Sequence, residues 1–365
     1  MRWKEQLLDL TPYQPGKSIE ETKREFGLEK IVKLASNENP FGCSKKVLSA
    51  LRENPPKPEI YPDGYATVLR ETLSSSMNVQ PDQLIFGNGS DELIQIISRA
   101  LLHPGANTVM AAPTFPQYRH NAVLEMAEIR EIPLVNGEHD LKGMLDAIDE
   151  RTNVVWLCTP NNPTGTYIKN NELEAFLEKV PQDTLIVIDE AYAEYVEAED
   201  YHDTVDLANR YENLILLRTF SKIYGLASLR IGYGVAHPTI ISRLEPAREP
   251  FNTSSFAQLA AKTAVDDKGF LEECKKQNRE GLNSFYRFCD KHGLEYYPSQ
   301  ANFILINFKR DGDEVFQYLL SRGYIVRSGK ALGFPTCVRV TVGSQEQNEG
   351  LQSLILDYLQ SGVLK

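Results

Sequence analysis

Asn213-Leu214-Ile215-Leu216-Leu217-Arg218-Thr219-Phe220-Ser221-Lys222 is the stretch on which the reading of this chain turns. Its first half is a continuous apolar run, the pattern of a strand buried on both faces of a parallel sheet. Its second half therefore stands at the strand's carboxyl end, where open α/β sheets bind ligands. A lysine delivered to that edge and stripped of water becomes a nucleophile for an aldehyde. Thr219 and Ser221 add two hydroxyls, and Arg230, eight residues after Lys222, adds a guanidinium. Together these suit a phosphate.

Similar runs recur upstream: Leu84-Ile85-Phe86, Thr108-Val109-Met110-Ala111, Val154-Val155-Trp156-Leu157 and Leu185-Ile186-Val187-Ile188. Helical patterns lie between several of them, at Asp91 to Leu102 and Glu172 to Val180. Strands alternating with helices predict an α/β fold with a mainly parallel central sheet and helices on both faces. After about residue 260 the character changes. A long polar helical region carries Cys274 and Cys289. It is followed by a strand (302–308), a helix (313–320), two strands (324–326 and 338–342) and an amphipathic helix with Leu351, Leu354, Ile355 and Leu359. We expect an N-terminal arm over 1–30, a large domain over 31–260 and a smaller α+β domain over 261–365.

Each strand of the first set runs into polar or aromatic residues. Gly87-Asn88-Gly89-Ser90-Asp91-Glu92 lets the backbone approach a ligand and opens a helix whose free N–H groups suit a phosphate. Phe115 and Tyr118 follow the second strand and offer faces for a flat ring. Pro160-Asn161-Asn162-Pro163-Thr164-Gly165 supplies side-chain amides, of which Asn162 suits a phenolic oxygen. Asp189, just past a buried strand, is costly to bury unless it meets a cation such as a protonated pyridine nitrogen, and Tyr192 follows it. Each has a plain structural reading: a capped turn, core aromatics, an ordinary turn, an aspartate paired with a structural arginine, a solvated lysine. Their occurrence in order at successive strand ends argues for a common ligand. A lysine for an aldehyde, a carboxylate for a ring nitrogen and a separate phosphate pocket describe a pyridoxal 5'-phosphate site.

Composition narrows the alternatives. The chain has 365 residues, 42% apolar and 24% charged, with a formal net charge of −11, which is ordinary for a globular protein and argues against a nucleic-acid partner. Five cysteines form no C-x-x-C pair, so no metal site is expected, and reduced thiols in the cytoplasm are. The N-terminus, Met1 to Gln6, shows no apolar core of signal-peptide length, and no stretch is long and apolar enough to span a bilayer, so neither a leader nor a membrane span is expected. Two nucleotide-binding readings fail. Gly16-Lys17-Ser18 resembles the end of a phosphate loop, but Thr11 stands where its first glycine belongs. Gly87-Asn88-Gly89 resembles a dinucleotide fingerprint, but Glu92 stands where its last glycine belongs.

With these residues in view, the chain resembles the fold-type I pyridoxal phosphate-dependent aminotransferases over nearly its whole length. More narrowly, it resembles their histidinol-phosphate branch. Leu34-Ala35-Ser36-Asn37-Glu38-Asn39-Pro40, Tyr61-Pro62-Asp63-Gly64, Asp189-Glu190-Ala191-Tyr192, Thr219-Phe220-Ser221-Lys222 and Val338 to Gly343 carry the likeness, with the glycine and asparagine turns above and Leu10-Thr11-Pro12-Tyr13. The resemblance implies that Lys222, Asp189 and Tyr192 are catalytic, with Lys222 bonding the cofactor aldehyde. Asp189 would face the ring nitrogen, and Asn162 and Tyr192 the phenolic oxygen. Gly89, Ser90, Asp91, Thr219, Ser221 and Arg230 would grip the phosphate. Phe115 would stack on the ring where the family often has tyrosine. Tyr61 would reach the phosphate of a neighbouring subunit, which implies a homodimer with shared sites. Tyr13, Asn37, Asn162, Arg327 and Arg339 would bind substrate, the arginines taking carboxylate in one half-reaction and phosphate in the other. The implied activity is amino transfer between L-histidinol phosphate and 2-oxoglutarate, in histidine biosynthesis. An aromatic amino-acid aminotransferase, a phosphothreonine decarboxylase-like lyase and a non-catalytic binding protein remain alternatives.

Overall fold

A computed structural model describes residues 1, 3–10, 16–201 and 204–361. Its strands in chain order are β1 (Val32–Lys33), β2 (Leu84–Gly87), β3 (Asn107–Ala112), β4 (Glu128–Pro133), β5 (Thr152–Cys158), β6 (Leu185–Asp189), β7 (Leu214–Thr219), β8 (Gly232–Ala236), β9 (Glu295–Tyr296), β10 (Phe303–Asn307), β11 (Tyr324–Ile325), β12 (Arg327–Ser328) and β13 (Cys337–Thr341). Seven of them form one sheet in the order β2-β8-β7-β6-β5-β3-β4. Only β8 runs against its neighbours. The carboxyl ends of the other six therefore share one edge.

Alternate residues of each central strand feed two cores, one on each face. Ile186, Ile188, Leu214 and Leu216 pack with Leu69, Leu173, Phe176 and Ala257. Leu185, Val187, Ile215 and Leu217 pack with Leu93, Ile97, Ile241 and Leu244. Burying each such side chain contributes about 1.5–3 kcal/mol, so the sheet is held from both faces and its edge is a firm platform. The α/β class with helices on both faces is as the apolar runs predict.

The C-terminal part builds the smaller α+β unit. A helix of 25 residues, Lys268–His292, leads into an antiparallel sheet ordered β12-β13-β10-β9. The closing helix Gln345–Gln360 packs Leu351 and Ile355 into this sheet's core with Phe285, Ile304 and Val338. Val32 and Leu34 join the same core, and β1 pairs in parallel with β11. The segment from 32 to 37 thus ties this unit to the large sheet and brings Ser36 and Asn37 to the junction.

Two strands of the large sheet escape a reading of apolar runs. β4 is an edge strand with no fully buried residue and a polar sequence. β8, Gly232-Tyr233-Gly234-Val235-Ala236, has glycines where runs are sought. Gly232 answers to packing: a Cβ there would lie 2.7 Å from the Gly89 carbonyl carbon and 2.8 Å from the Ser90 nitrogen. Only hydrogen lets the Gly87–Ser90 turn settle against the sheet.

Candidate active site

A cavity of about 400 Å³ opens at the common strand edge where the two units meet. Fourteen residues singled out above line it: Asn37, Gly89, Ser90, Asp91, Phe115, Asn162, Asp189, Tyr192, Thr219, Ser221, Lys222, Arg230, Arg327 and Arg339. Tyr61 does not. It is 80% exposed and stacks on Phe251 at 4.9 Å. Tyr13 lies outside the described residues.

At one end the groups suit an anion. The helix Ser90–Leu101 begins here with its free N–H groups. The Arg230 guanidinium donates to Ser221 Oγ at 3.2 Å and to the Asn88 carbonyl at 3.1 Å. It also meets the Asp91 carboxylate at 3.2 Å. The Thr219 hydroxyl accepts from the Ser221 N–H at 3.1 Å, which sets the turn after β7. Gly89, at φ 75°, passes so close that a Cβ would lie 2.6 Å from Arg230 Nη2.

At the other end stands Asp189, 3% exposed and the last residue of β6. Its Oδ2 accepts from the Tyr118 hydroxyl at 2.7 Å and its Oδ1 from the Ala191 N–H at 3.2 Å. Burial pushes its pKa up to about 6, against the pull of Tyr118. Tyr118 is fully buried and stacks on Trp156 at 4.9 Å, with Phe115 edge-on at 5.6 Å. As a lone aromatic Tyr118 reads as core. It is core, yet its hydroxyl is also the donor that holds the aspartate. Tyr118 follows the cavity-lining Phe115 by three residues, and that short spacing is the signal in the sequence that could have found it.

Between the ends lies Lys222. Its Nζ is 3.3 Å from the Ser36 carbonyl and 5.6 Å from the Tyr192 ring centre. Burial, and then the positive charge of Arg339, lower its pKa to about 8. The Tyr192 hydroxyl accepts from Asn37 Nδ2 at 3.0 Å, and burial raises its pKa. Asn37 takes a left-handed φ of 56° and is locked by Thr341 and Asn302, each at 3.0 Å.

The smaller unit contributes two cations. Arg327 on β12 and Arg339 on β13 are direct partners across the antiparallel pair. Like charges directly opposite each other on a sheet are destabilising, and an anion between them reverses the sign. Arg339 is 6% exposed and donates to Asn162 Oδ1 at 2.6 Å and to the Ala35 carbonyl at 2.7 Å. It is therefore held in place before any ligand arrives.

These residues fit pyridoxal phosphate. The hydroxyls, the arginine and the helix start suit its phosphate. The buried carboxylate suits a ring nitrogen, and an amine of lowered pKa stands between them. The glycines at 89 and 232 leave a cradle that any Cβ would fill.

The aminotransferase class I and II family model matches residues 29–355. The chain is 65% identical over 364 residues to the histidinol-phosphate aminotransferase of Geobacillus sp. (strain WCH70), covering 100% of both chains. It is 59% identical over 360 residues to that of Bacillus subtilis (strain 168), covering 98% of this chain and 100% of that one. Among solved structures it superposes on histidinol-phosphate aminotransferase from Sinorhizobium meliloti in complex with pyridoxal-5'-phosphate. The TM-score is 0.90 at 26% identity, over 99% of this chain and 98% of that one. Site geometry, family match and full-length similarity agree: this chain belongs to the class I and II aminotransferase family, in its histidinol-phosphate aminotransferase branch.

Proposed function

We propose that this protein uses pyridoxal 5'-phosphate to move an amino group between L-histidinol phosphate and 2-oxoglutarate, a step of histidine biosynthesis. The observation that carries this reading is the pairing of Arg327 with Arg339 in the lining of a cavity that also holds the half-buried Lys222. Two opposed guanidinium groups suit both the phosphate of one substrate and the carboxylate of the other.

The cofactor supplies an aldehyde for the amino group and a ring that withdraws electrons from the substrate's Cα. The chain supplies the rest. Lys222 Nζ would hold the cofactor's aldehyde carbon, and its neutral amine would take up and return the proton at the substrate's Cα. Asp189 keeps the ring nitrogen protonated, braced by Tyr118. Asn162 and Tyr192 would hold the phenolic oxygen, and Phe115 would offer its face to the ring. The Gly89-Ser90-Asp91 turn, Thr219, Ser221 and Arg230 hold the phosphate. Asn37 lines the substrate side of the cavity. An arm over 1–30, a cofactor-binding unit over 31–260 and a smaller unit over 261–365 describe the division of labour.

Visible absorption tests the assignment. Protein loaded with cofactor should lose its visible band on addition of glutamate, and separately on addition of histidinol phosphate. A band that phenylalanine or tyrosine bleaches while histidinol phosphate does not would overturn the substrate assignment.

Replacing Arg339 separates binding from chemistry. Arg339→Gln removes a charge-assisted bond of about 1.5–3 kcal/mol, so KM for glutamate and for histidinol phosphate should rise together by roughly 10- to 100-fold. Arg339→Lys keeps the charge but loses the fork, and should recover only part. A rise for one substrate alone would refute the shared use of this arginine.

We also propose a cytoplasmic homodimer. Among the described residues no helix is long and apolar enough to cross a membrane, and the five cysteines are free thiols. Ile60, Tyr61, Tyr65, Val68 and Phe251 are exposed apolar residues close together in chain or space. Such a patch fits a self-complementary interface, and it includes the tyrosine expected to reach across. Val68→Asp should give a monomer in sedimentation equilibrium with weakened cofactor retention. A wild-type chain that sediments as a monomer would end this reading.

A further inference from the structure

Glu92 is the residue that bars a dinucleotide fingerprint, and the roles above leave it unused. It lies in the first turn of the helix Ser90–Leu101 but does not line the cavity. A carboxylate so near a phosphate site opposes the ligand's charge unless its lone pairs are turned elsewhere. They are. Glu92 Oε2 accepts from the Asn88 backbone N–H at 2.6 Å, from Asn252 Nδ2 at 2.8 Å and from Asn88 Nδ2 at 3.1 Å.

These contacts form a latch between two segments far apart in sequence. Asn88 Nδ2 also donates to the Asn252 carbonyl at 2.8 Å, and Asn252 Nδ2 to the Phe86 carbonyl at 3.0 Å. Asn252 Oδ1 accepts from Arg248 at 2.9 Å. Asn88 is held from both sides: its N–H is on Glu92, and its carbonyl takes the Arg230 guanidinium at 3.1 Å. Fixing that residue's backbone fixes where Arg230 points. It also fixes Gly89, which has no room for a side chain beside that arginine.

We propose that Glu92 is a positioning residue for the cofactor phosphate, pinning the Gly87–Ser90 turn to Asn252 and thereby setting the aim of Arg230. The proposal rests on the reading that this turn and Arg230 hold the phosphate. It assigns Glu92 no contact with the ligand. The acidic residue offsets its unfavourable charge by accepting three hydrogen bonds on the side away from the cavity, and it favours the helix start electrostatically.

The test compares two ligands that differ only in the phosphate. Full-length protein freed of cofactor is titrated with pyridoxal phosphate and with pyridoxal, followed by visible absorbance. Glu92→Ala should weaken pyridoxal phosphate by about 10- to 100-fold, the scale of lost hydrogen bonds to a charged group, and leave pyridoxal nearly unchanged. Glu92→Gln keeps an acceptor oxygen and should restore most of the affinity. Asn252→Ala removes one donor and should shift the ratio the same way by a smaller factor, which also serves if Glu92→Ala does not fold. Wild-type protein with no preference for pyridoxal phosphate would overturn the phosphate reading itself. A wild-type preference retained in the variants, or equal weakening of both ligands, would overturn the role of Glu92 alone.

Discussion

Lys222→Ala should reduce amino transfer by at least about 10²- to 10⁴-fold, the contribution of a positioned general acid–base, in a chain that still folds. Among the described residues lining the cavity, Lys222 is the only lysine. Its ammonium form is disfavoured by burial first and by Arg339 second, while Asp91 and Glu38 partly restore it. The net pKa of about 8 leaves an appreciable fraction of neutral amine at neutral pH, where an exposed lysine would have almost none. The neutral form is the nucleophile and the base. Capture of the cofactor aldehyde by the cofactor-free protein should therefore speed up as pH rises and level off above about 8. Lys222→Arg keeps the charge and much of the length but cannot lose its proton in this range. It should be as inactive as the alanine variant and show no such rise. Stopped-flow absorbance measures both, with circular dichroism to confirm folding. Turnover retained in Lys222→Ala would mean that the lysine serves only to hold the fold.

How much of this was legible in sequence follows from which forces write themselves locally. The five buried strands announce themselves because continuous apolar runs have few other uses in a chain of this composition. β4 and β8 do not. One is a polar edge, and the other is selected for the absence of side chains beside the phosphate turn. The residues at strand ends could be named because a polar group just past a buried strand needs a partner. Long-range partners are another matter. Nothing in the order of residues says that Asn162 rests on Arg339, or that Asn37 meets Tyr192, 155 positions away. Tyr118 shows the limit most clearly. Burial and function use the same ring, so a reading by hydrophobicity finds the core residue and overlooks the hydroxyl. The pairing of β1 with β11 is likewise invisible, since two-residue strands carry no period.

Asp189→Asn should be nearly as damaging as loss of the lysine, for a different reason. The substitution preserves shape and some hydrogen bonding but removes the carboxylate that, among the described residues lining that end of the cavity, could balance a cation. Leaving a buried charge without its partner costs about 3–5 kcal/mol, or roughly 10²- to 10⁴-fold in rate. The pH dependence carries the same signature. In the cofactor-free protein Asp189 is protonated below about 6, chiefly because burial disfavours its charge. A neutral carboxyl offers a protonated ring nitrogen no ion pair. Cofactor affinity should therefore hold above pH 6 and fall as pH drops through it, and Asp189→Asn should abolish that step. Tyr118→Phe supplies the control. The lost hydroxyl donor favoured the charged carboxylate, so the midpoint should move to higher pH while the binding stoichiometry stays the same. If the step survives unchanged in Asp189→Asn, another group titrates. If Tyr118→Phe lowers the midpoint, the bond at 2.7 Å favours the neutral acid, and the bracing role assigned to Tyr118 fails.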